Sequence, residues 1–227
     1  MTTGRLYYAS GSEKGTERNI NKDSLCLIHT AFSEIKIFAV FDGVSSAKHA
    51  KLGVNFVAKF FKKNFHEYLD GKAVAIKRML LEANKRLVNS QYNSPESTIV
   101  LGYVNVKMEL FNFVSIGDTR VYAVSKQYIK KISVDDNPIG QKNIVTRYLG
   151  FDNLCEEDVH DGYIDLSKES ALVCTDGFYS IMEKNVIDFH EAFMLKTPRG
   201  IESRIKRQIL GKNTDDATYQ YVGLEYV

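Results

Sequence analysis

Four aspartates adjoin apolar stretches of the chain, where a sheet could gather them at one edge. Asp42 follows Val40-Phe41 and precedes Gly43, and Asp118 follows the run 110–117. Asp176 follows Ala171-Leu172-Val173-Cys174-Thr175 and precedes Gly177, and Asp215 stands just before a last β-rich stretch. The adjoining stretches are too apolar to lie in solvent, so each carboxylate is expected at the rim of a buried sheet. Asp-Gly is also an ordinary turn dipeptide, and Asp70-Gly71 and Asp161-Gly162 read as turns only. Several carboxylates at one edge would repel one another unless a cation neutralised them. Oxygen donors without histidine or cysteine suit a hard ion, Mg²⁺ or Mn²⁺. Two such ions roughly 4 Å apart can activate a bridging water and stabilise an in-line phosphoryl transition state. Separate turns and one joint metal cleft both stay open at this level.

The elements that must place these acids read as follows. Residues 23–30 and 35–41 form strands, the second becoming continuously apolar after Lys36 and therefore buried on both faces. A helix carries Ala50, Val54, Val57, Phe61, Phe65 and Tyr68 on one stripe and is broken by Asp70-Gly71. A second carries Ile76, Leu80, Ala83 and Leu87 and ends near Asn93-Ser94-Pro95. Strands follow at about 98–107, 110–116, 119–125 and 128–133, then a hairpin over 161–174. Helices near 183–190 and 200–210 precede a last strand at 217–225. Runs of strands broken by paired helices, without regular βαβ alternation, predict an α+β fold with sheets packed together and helices outside.

The chain has 227 residues, 44% hydrophobic and 26% charged, and reads as one domain over 1–227. A net charge of +2 gives no sign of a nucleic-acid or anionic-membrane partner. Cys26, Cys155 and Cys174 are few, odd in number and lack metal-ligand spacing, which suits a reducing compartment. The start MTTGRLYYAS has no apolar signal core, and no apolar run approaches the ~18 residues of a membrane span. A cytoplasmic chain is expected.

With the acids placed, a set of short motifs in order resembles the type 2C metal-dependent serine/threonine protein phosphatases, from about residue 11 to the end. They are Arg18-Asn19-Ile20-Asn21-Lys22-Asp23-Ser24, Val40-Phe41-Asp42-Gly43, Ser97-Thr98, Ile116-Gly117-Asp118-Thr119-Arg120, Val145-Thr146-Arg147-Tyr148-Leu149-Gly150, Leu172-Val173-Cys174-Thr175-Asp176-Gly177 and Asp215-Asp216-Ala217-Thr218. Each is short, and the ordered set is specific. The resemblance implies two antiparallel sheets packed as a sandwich, flanked by helix pairs, with a metal cleft at one end. It implies hydrolysis of phosphoserine or phosphothreonine in a protein by a metal-bridging water, with two Mn²⁺ or Mg²⁺ ions and a third, weaker one. Asp42 would bridge both metals, with the Gly43 carbonyl on one of them. Asp176 and Asp215 would be the remaining direct ligands of the other, and Asp23 an outer-shell acid. Asp118, with Asp176, would hold the third ion, and Arg18 would clamp the substrate phosphate. Arg120 and Arg147 are expected in structural ion pairs. A monomer that opposes a serine/threonine kinase is expected.

Four positions depart from the family pattern. Val44 follows Asp42-Gly43 where a histidine or methionine is common, so no general acid is evident, and His49 is expected on a helix surface. Lys22 precedes Asp23 where glutamate or glutamine is usual, and is expected to point to solvent. The segment from 133 to 147 is short, so the cleft should lack a long flap. Asp216 replaces the usual asparagine beside Asp215, either on a metal or facing water. The alternatives are a pseudophosphatase that binds through the same fold, and a hydrolase of small phosphoesters.

Overall fold

The computed structural model describes residues 4–30, 34–71, 73–141 and 144–226. It contains two five-stranded antiparallel sheets, with helices on their outer faces. The first sheet has the order β1 (Arg5–Glu13), β12 (Ala217–Glu225), β11 (Ser170–Cys174), β8 (Arg120–Val124), β9 (Ile129–Lys131). The second has the order β10 (His160–Asp165), β7 (Leu110–Ile116), β6 (Ser97–Asn105), β3 (Ile35–Gly43), β2 (Ser24–His29). Leu69–Asp70 (β4) and Ala73–Val74 (β5) form a small separate hairpin around the Asp70-Gly71 turn.

Strand β3 explains the layering. Alternate side chains of a strand point to opposite faces. Phe38 and Val40 join Val100, Val121, Ala171, Val173 and Val222 in the core between the sheets. Ile37, Ala39 and Phe41 face the other way, onto α1 (Ala50–Asn64) and α2 (Ile76–Val88) through Val54, Phe61, Leu80 and Leu87. Both faces of the strand are dry, which is why its apolar run is unbroken. On the other side, Leu172, Tyr219 and Tyr221 pack under α3 (Asp176–Met182), α4 (Val186–Phe193) and α5 (Pro198–Ile209).

The expected architecture is present, with local differences. The first helix stops at Asn64, and Phe65–Tyr68, expected on its stripe, form a separate 3-10 turn. Residues 161–174 are not a hairpin: β10 pairs with β7 in one sheet, and β11 pairs with β8 and β12 in the other. Asp161 and Gly162 accordingly lie within a strand, opposite Val114 and Phe113, and make no turn. Strand β1 and helix α3 were not expected. The first is ordered by full pairing with β12, from Arg5↔Glu225 to Glu13↔Ala217.

Candidate metal cleft

Three strand ends and one strand start deliver the aspartates. Asp42 is the second-last residue of β3, held in register opposite Thr98 of β6. Past β7, Gly117 turns the chain at φ +91°, and a Cβ there would lie 2.4 Å from that of Thr98. Only glycine satisfies both conditions, and the turn places Asp118 beside β6. Asp176 opens α3 directly after β11. A Cβ on Gly177 would lie 2.2 Å from the Asp216 carbonyl oxygen, so glycine lets α3 touch the chain that enters β12. That contact brings Asp176 to Asp215.

The four carboxylates, with Arg18 and Thr98, line one cavity of about 460 Å³. Val44 and Val145 form part of its wall. Burial, then the charges of Asp176, Asp23, Asp118 and Asp215, hold the Asp42 carboxyl well above the usual range. Asp176 is pushed up to about 6, first by burial and then by Asp215 and Asp118, against a hydrogen bond with Asp42. Asp118 is raised chiefly by burial, against a weak contact from Asn137. Asp23 lies behind the cleft, buried, and accepts a hydrogen bond from the Thr175 hydroxyl at 2.9 Å. It too is raised well above the usual range, mainly by burial.

Arg18 and Asp215 take a more specific arrangement than the sequence suggested. The Arg18 Nε donates to Asp215 Oδ1 at 2.6 Å, and Nη2 donates to Oδ2. The fork expected on a phosphate therefore rests on an expected metal ligand. Among the described residues, no three carboxylate, histidine or cysteine groups stand as a ready-made metal shell. The fit to a cation is instead one of donor chemistry. Four acidic side chains share the cavity with one guanidinium, every donor is oxygen, and the carboxylates raise one another's proton affinity. A hard divalent ion answers that imbalance.

Neighbouring groups hold this frame in place. Asp216 is buried and does not line the cavity. Its Oδ1 accepts from the Gly15 backbone N–H at 2.9 Å and its Oδ2 from that of Lys22 at 2.7 Å, so it straps the Arg18 loop down. Lys22 does not extend into solvent: its ammonium donates to the carbonyls of Ser45 at 2.7 Å and Ala47 at 3.0 Å, pinning the loop after Gly43. Neighbouring carbonyl oxygens attract a cation strongly enough to outweigh free hydration of the lysine. His49 turns its Nδ1 to the Asn93 carbonyl at 2.6 Å and does not line the cleft. Arg120 pairs with Asp135 and Glu183, and Arg147 with Asp136 and Asp158, both structural as expected.

Sequence reasoning passed over Asp136, whose buried Oδ2 accepts from the Gly117 N–H at 2.8 Å and so fixes the turn before Asp118. It also passed over Thr175, which joins Asp23 to the strand bearing Asp176. Thr175 had a local signal in its place next to Asp176, whereas Asp136 lies 19 residues past Gly117 and had none.

Known proteins share this fold. The sequence profile of the family described as Protein phosphatase 2C matches residues 11–209. The structure is similar to PppA, described as a key regulatory component of T6SS in Pseudomonas aeruginosa, with TM-score 0.76 and 18% identity over 99% of this chain and 100% of that one. It is similar to the serine/threonine phosphatase Stp1 from Staphylococcus aureus, with TM-score 0.81 and 15% identity over 99% of this chain and 98% of that one. RsbX, solved in complex with magnesium, gives TM-score 0.70 and 17% identity over 99% and 100% of the two chains. No curated protein matches the chain in sequence. Among the described residues, no helix is long and apolar enough to cross a membrane. By the profile match over residues 11–209, the chain belongs to the protein phosphatase 2C family, and by that membership it is a serine/threonine protein phosphatase.

Proposed function

We propose that the chain hydrolyses phosphoserine and phosphothreonine in cytoplasmic proteins with Mn²⁺ or Mg²⁺, opposing a serine/threonine kinase. One observation carries the reading: Asp42, Asp118, Asp176 and Asp215, from four separate segments, line a single cavity with Arg18. Asp42, the Gly43 carbonyl, Asp176 and Asp215 would hold two ions, and Asp118 with Asp176 a third. Bound ions would supply charge neutralisation and an activated water. Asp23 supports Asp176 from behind through Thr175. Arg18 would exchange its fork from Asp215 to the substrate's phosphoryl oxygens, since guanidinium matches either partner with two hydrogen bonds.

Val44 brings no proton, and His49 is committed to Asn93. The leaving serine oxygen therefore takes its proton from water, and turnover should fall steeply as leaving-group pKa rises across aryl and alkyl phosphates. The direct test is release of phosphate from para-nitrophenyl phosphate and phosphoserine peptides with Mn²⁺ or Mg²⁺. Activity should vanish in chelator and in Asp42→Asn. Full turnover in excess chelator refutes the reading.

A further inference from the structure

Beside the metal cleft lies a second cavity of about 310 Å³, which shares Val44, Ser46 and Val145 with it. Its size falls at the lower end of ligand pockets, ~300–1,000 Å³. The shared wall puts its mouth within reach of residues that flank a phosphoserine held in the cleft. Its further lining includes Ile144, Tyr148 and Glu96. Ile144 is 50% exposed, an apolar side chain left without cover at this edge.

The chain builds this pocket rigidly. Ser97 and Leu149 form an isolated antiparallel bridge, with Leu149 N–H donating to Ser97 at 2.8 Å and Ser97 N–H to Leu149 at 3.3 Å. Glu96 and Tyr148 each directly precede a bridged residue, so both have fixed backbone positions. The Val44 N–H donates to the Glu96 carbonyl at 3.1 Å, which ties the metal-cleft loop to the same wall. The Tyr148 ring is braced edge-on by Phe151, with centroids 5.7 Å apart. Glu96 accepts one hydrogen bond, from the Ser94 hydroxyl at 2.7 Å. Lys22 and Arg147, on neighbouring segments, are committed to the 44–47 carbonyls and to Asp136 and Asp158. Among the described residues Glu96 has no cationic partner.

We infer that this pocket is a substrate subsite that takes an arginine side chain close in sequence to the phosphorylated residue. An aliphatic stem fits Val44, Ile144 and Val145. A planar guanidinium pairs with the Glu96 carboxylate and stacks on the braced Tyr148 ring. Lysine supplies the charge without the plane, leucine the stem without the charge, and glutamate is repelled. The order of preference is therefore arginine, lysine, leucine, glutamate. The inference rests on the phosphatase function proposed above.

The experiment uses phosphoserine peptides with alanine elsewhere, placing each of those four residues at every flanking position in turn. Phosphate release with Mn²⁺ gives kcat/KM for each, and para-nitrophenyl phosphate, which has no flank, reports the cleft alone. At the best position arginine should exceed leucine by about 5-fold, the most that a solvent-accessible ion pair supplies. Glu96→Gln keeps the bond from Ser94 and should remove the preference while leaving para-nitrophenyl phosphate turnover unchanged. Glu96→Lys should invert it, favouring glutamate. Tyr148→Leu should erase the advantage of arginine over lysine. Equal rates for all flanks, or a preference untouched by Glu96→Gln and Glu96→Lys, overturn the subsite and leave the phosphatase reading standing. A protein inert toward every substrate overturns both.

Discussion

Replacing Asp176 by asparagine removes one negative charge from a cavity that already holds Asp42, Asp118 and Asp215. In the metal-free protein that charge is costly, because burial and the neighbouring carboxylates raise the Asp176 pKa from 3.8 to about 6. The folded state then binds more protons than the unfolded state between those two values, so this group's stabilising contribution is full below pH 3.8 and is lost as pH rises through 6. Above that range the ionised group costs the fold about 3 kcal/mol, at 1.36 kcal/mol per unit. About half of this, between 1 and 2 kcal/mol, returns when pH falls from about 7.5 to 5. A domain of this size shifts by about 2–4 °C per kcal/mol.

The assay is thermal melting in chelator, across pH 5 to 7.5. Wild type should gain about 3–6 °C on acidification through this group, a gain absent from Asp176→Asn. At pH 7.5 the variant should melt about 6–12 °C above wild type. Adding Mg²⁺ or Mn²⁺ should then raise wild type, by linkage of binding to folding, and leave the variant nearly unmoved. Equal melting temperatures for the two chelated proteins at pH 7.5 would refute the claim that these carboxylates oppose one another in a buried site.

Three further substitutions separate frame from chemistry. Asp216→Asn turns one acceptor into a donor facing a backbone N–H of Gly15 or Lys22, and should cost about 1–3 kcal/mol by melting and raise KM as the Arg18 loop loosens. Gly117→Ala forces a Cβ against Thr98 at positive φ and should cost about 1–3 kcal/mol, measured by urea unfolding. Arg120→Ala leaves Asp135 and Glu183 without their guanidinium and uncovers the Tyr179 ring, 3.6 Å beneath it. It should cost about 3 kcal/mol in melting while divalent-ion affinity, measured by calorimetry, stays the same.

What could be read from the sequence follows from how local each signal is. The β3 run 37–41 was legible because a strand dry on both faces shows an unbroken apolar stretch, and β12 from its aromatic and β-branched residues, although Thr218 and Gln220 are buried within it. The α1 and α2 stripes were legible from spacing alone. Strand β1 was not: RLYYASGSE has one buried residue in nine, and its strand partner β12 lies some two hundred residues away. Helix α3 is only seven residues long and opens with Asp-Gly, which reads as a turn. Strands β10 and β11 have the spacing of a hairpin, and only the sandwich sends them to opposite sheets. The acids of the cleft were legible as a set, since each adjoins an apolar element. Their partners were not, and Asp215 and Asp216 show why.

These two neighbours are chemically identical, and local pattern has no means to tell them apart. Their roles are assigned by groups about two hundred residues earlier, as Arg18 engages Asp215 while the N–H groups of Gly15 and Lys22 engage Asp216. The second assignment also explains why an acid stands at 216. Two converging backbone donors need two acceptor oxygens, which a carboxylate has and an amide lacks. Asn213 completes the strap, donating to the carbonyls of Glu13 and Lys14 at 3.2 Å and of Asp215 at 3.0 Å. The same loop, through the Lys22 ammonium, fixes the 44–47 segment that walls both the cleft and the neighbouring pocket. A substitution at 216 should therefore disturb phosphate binding and flank preference together, although Asp216 lines neither cavity.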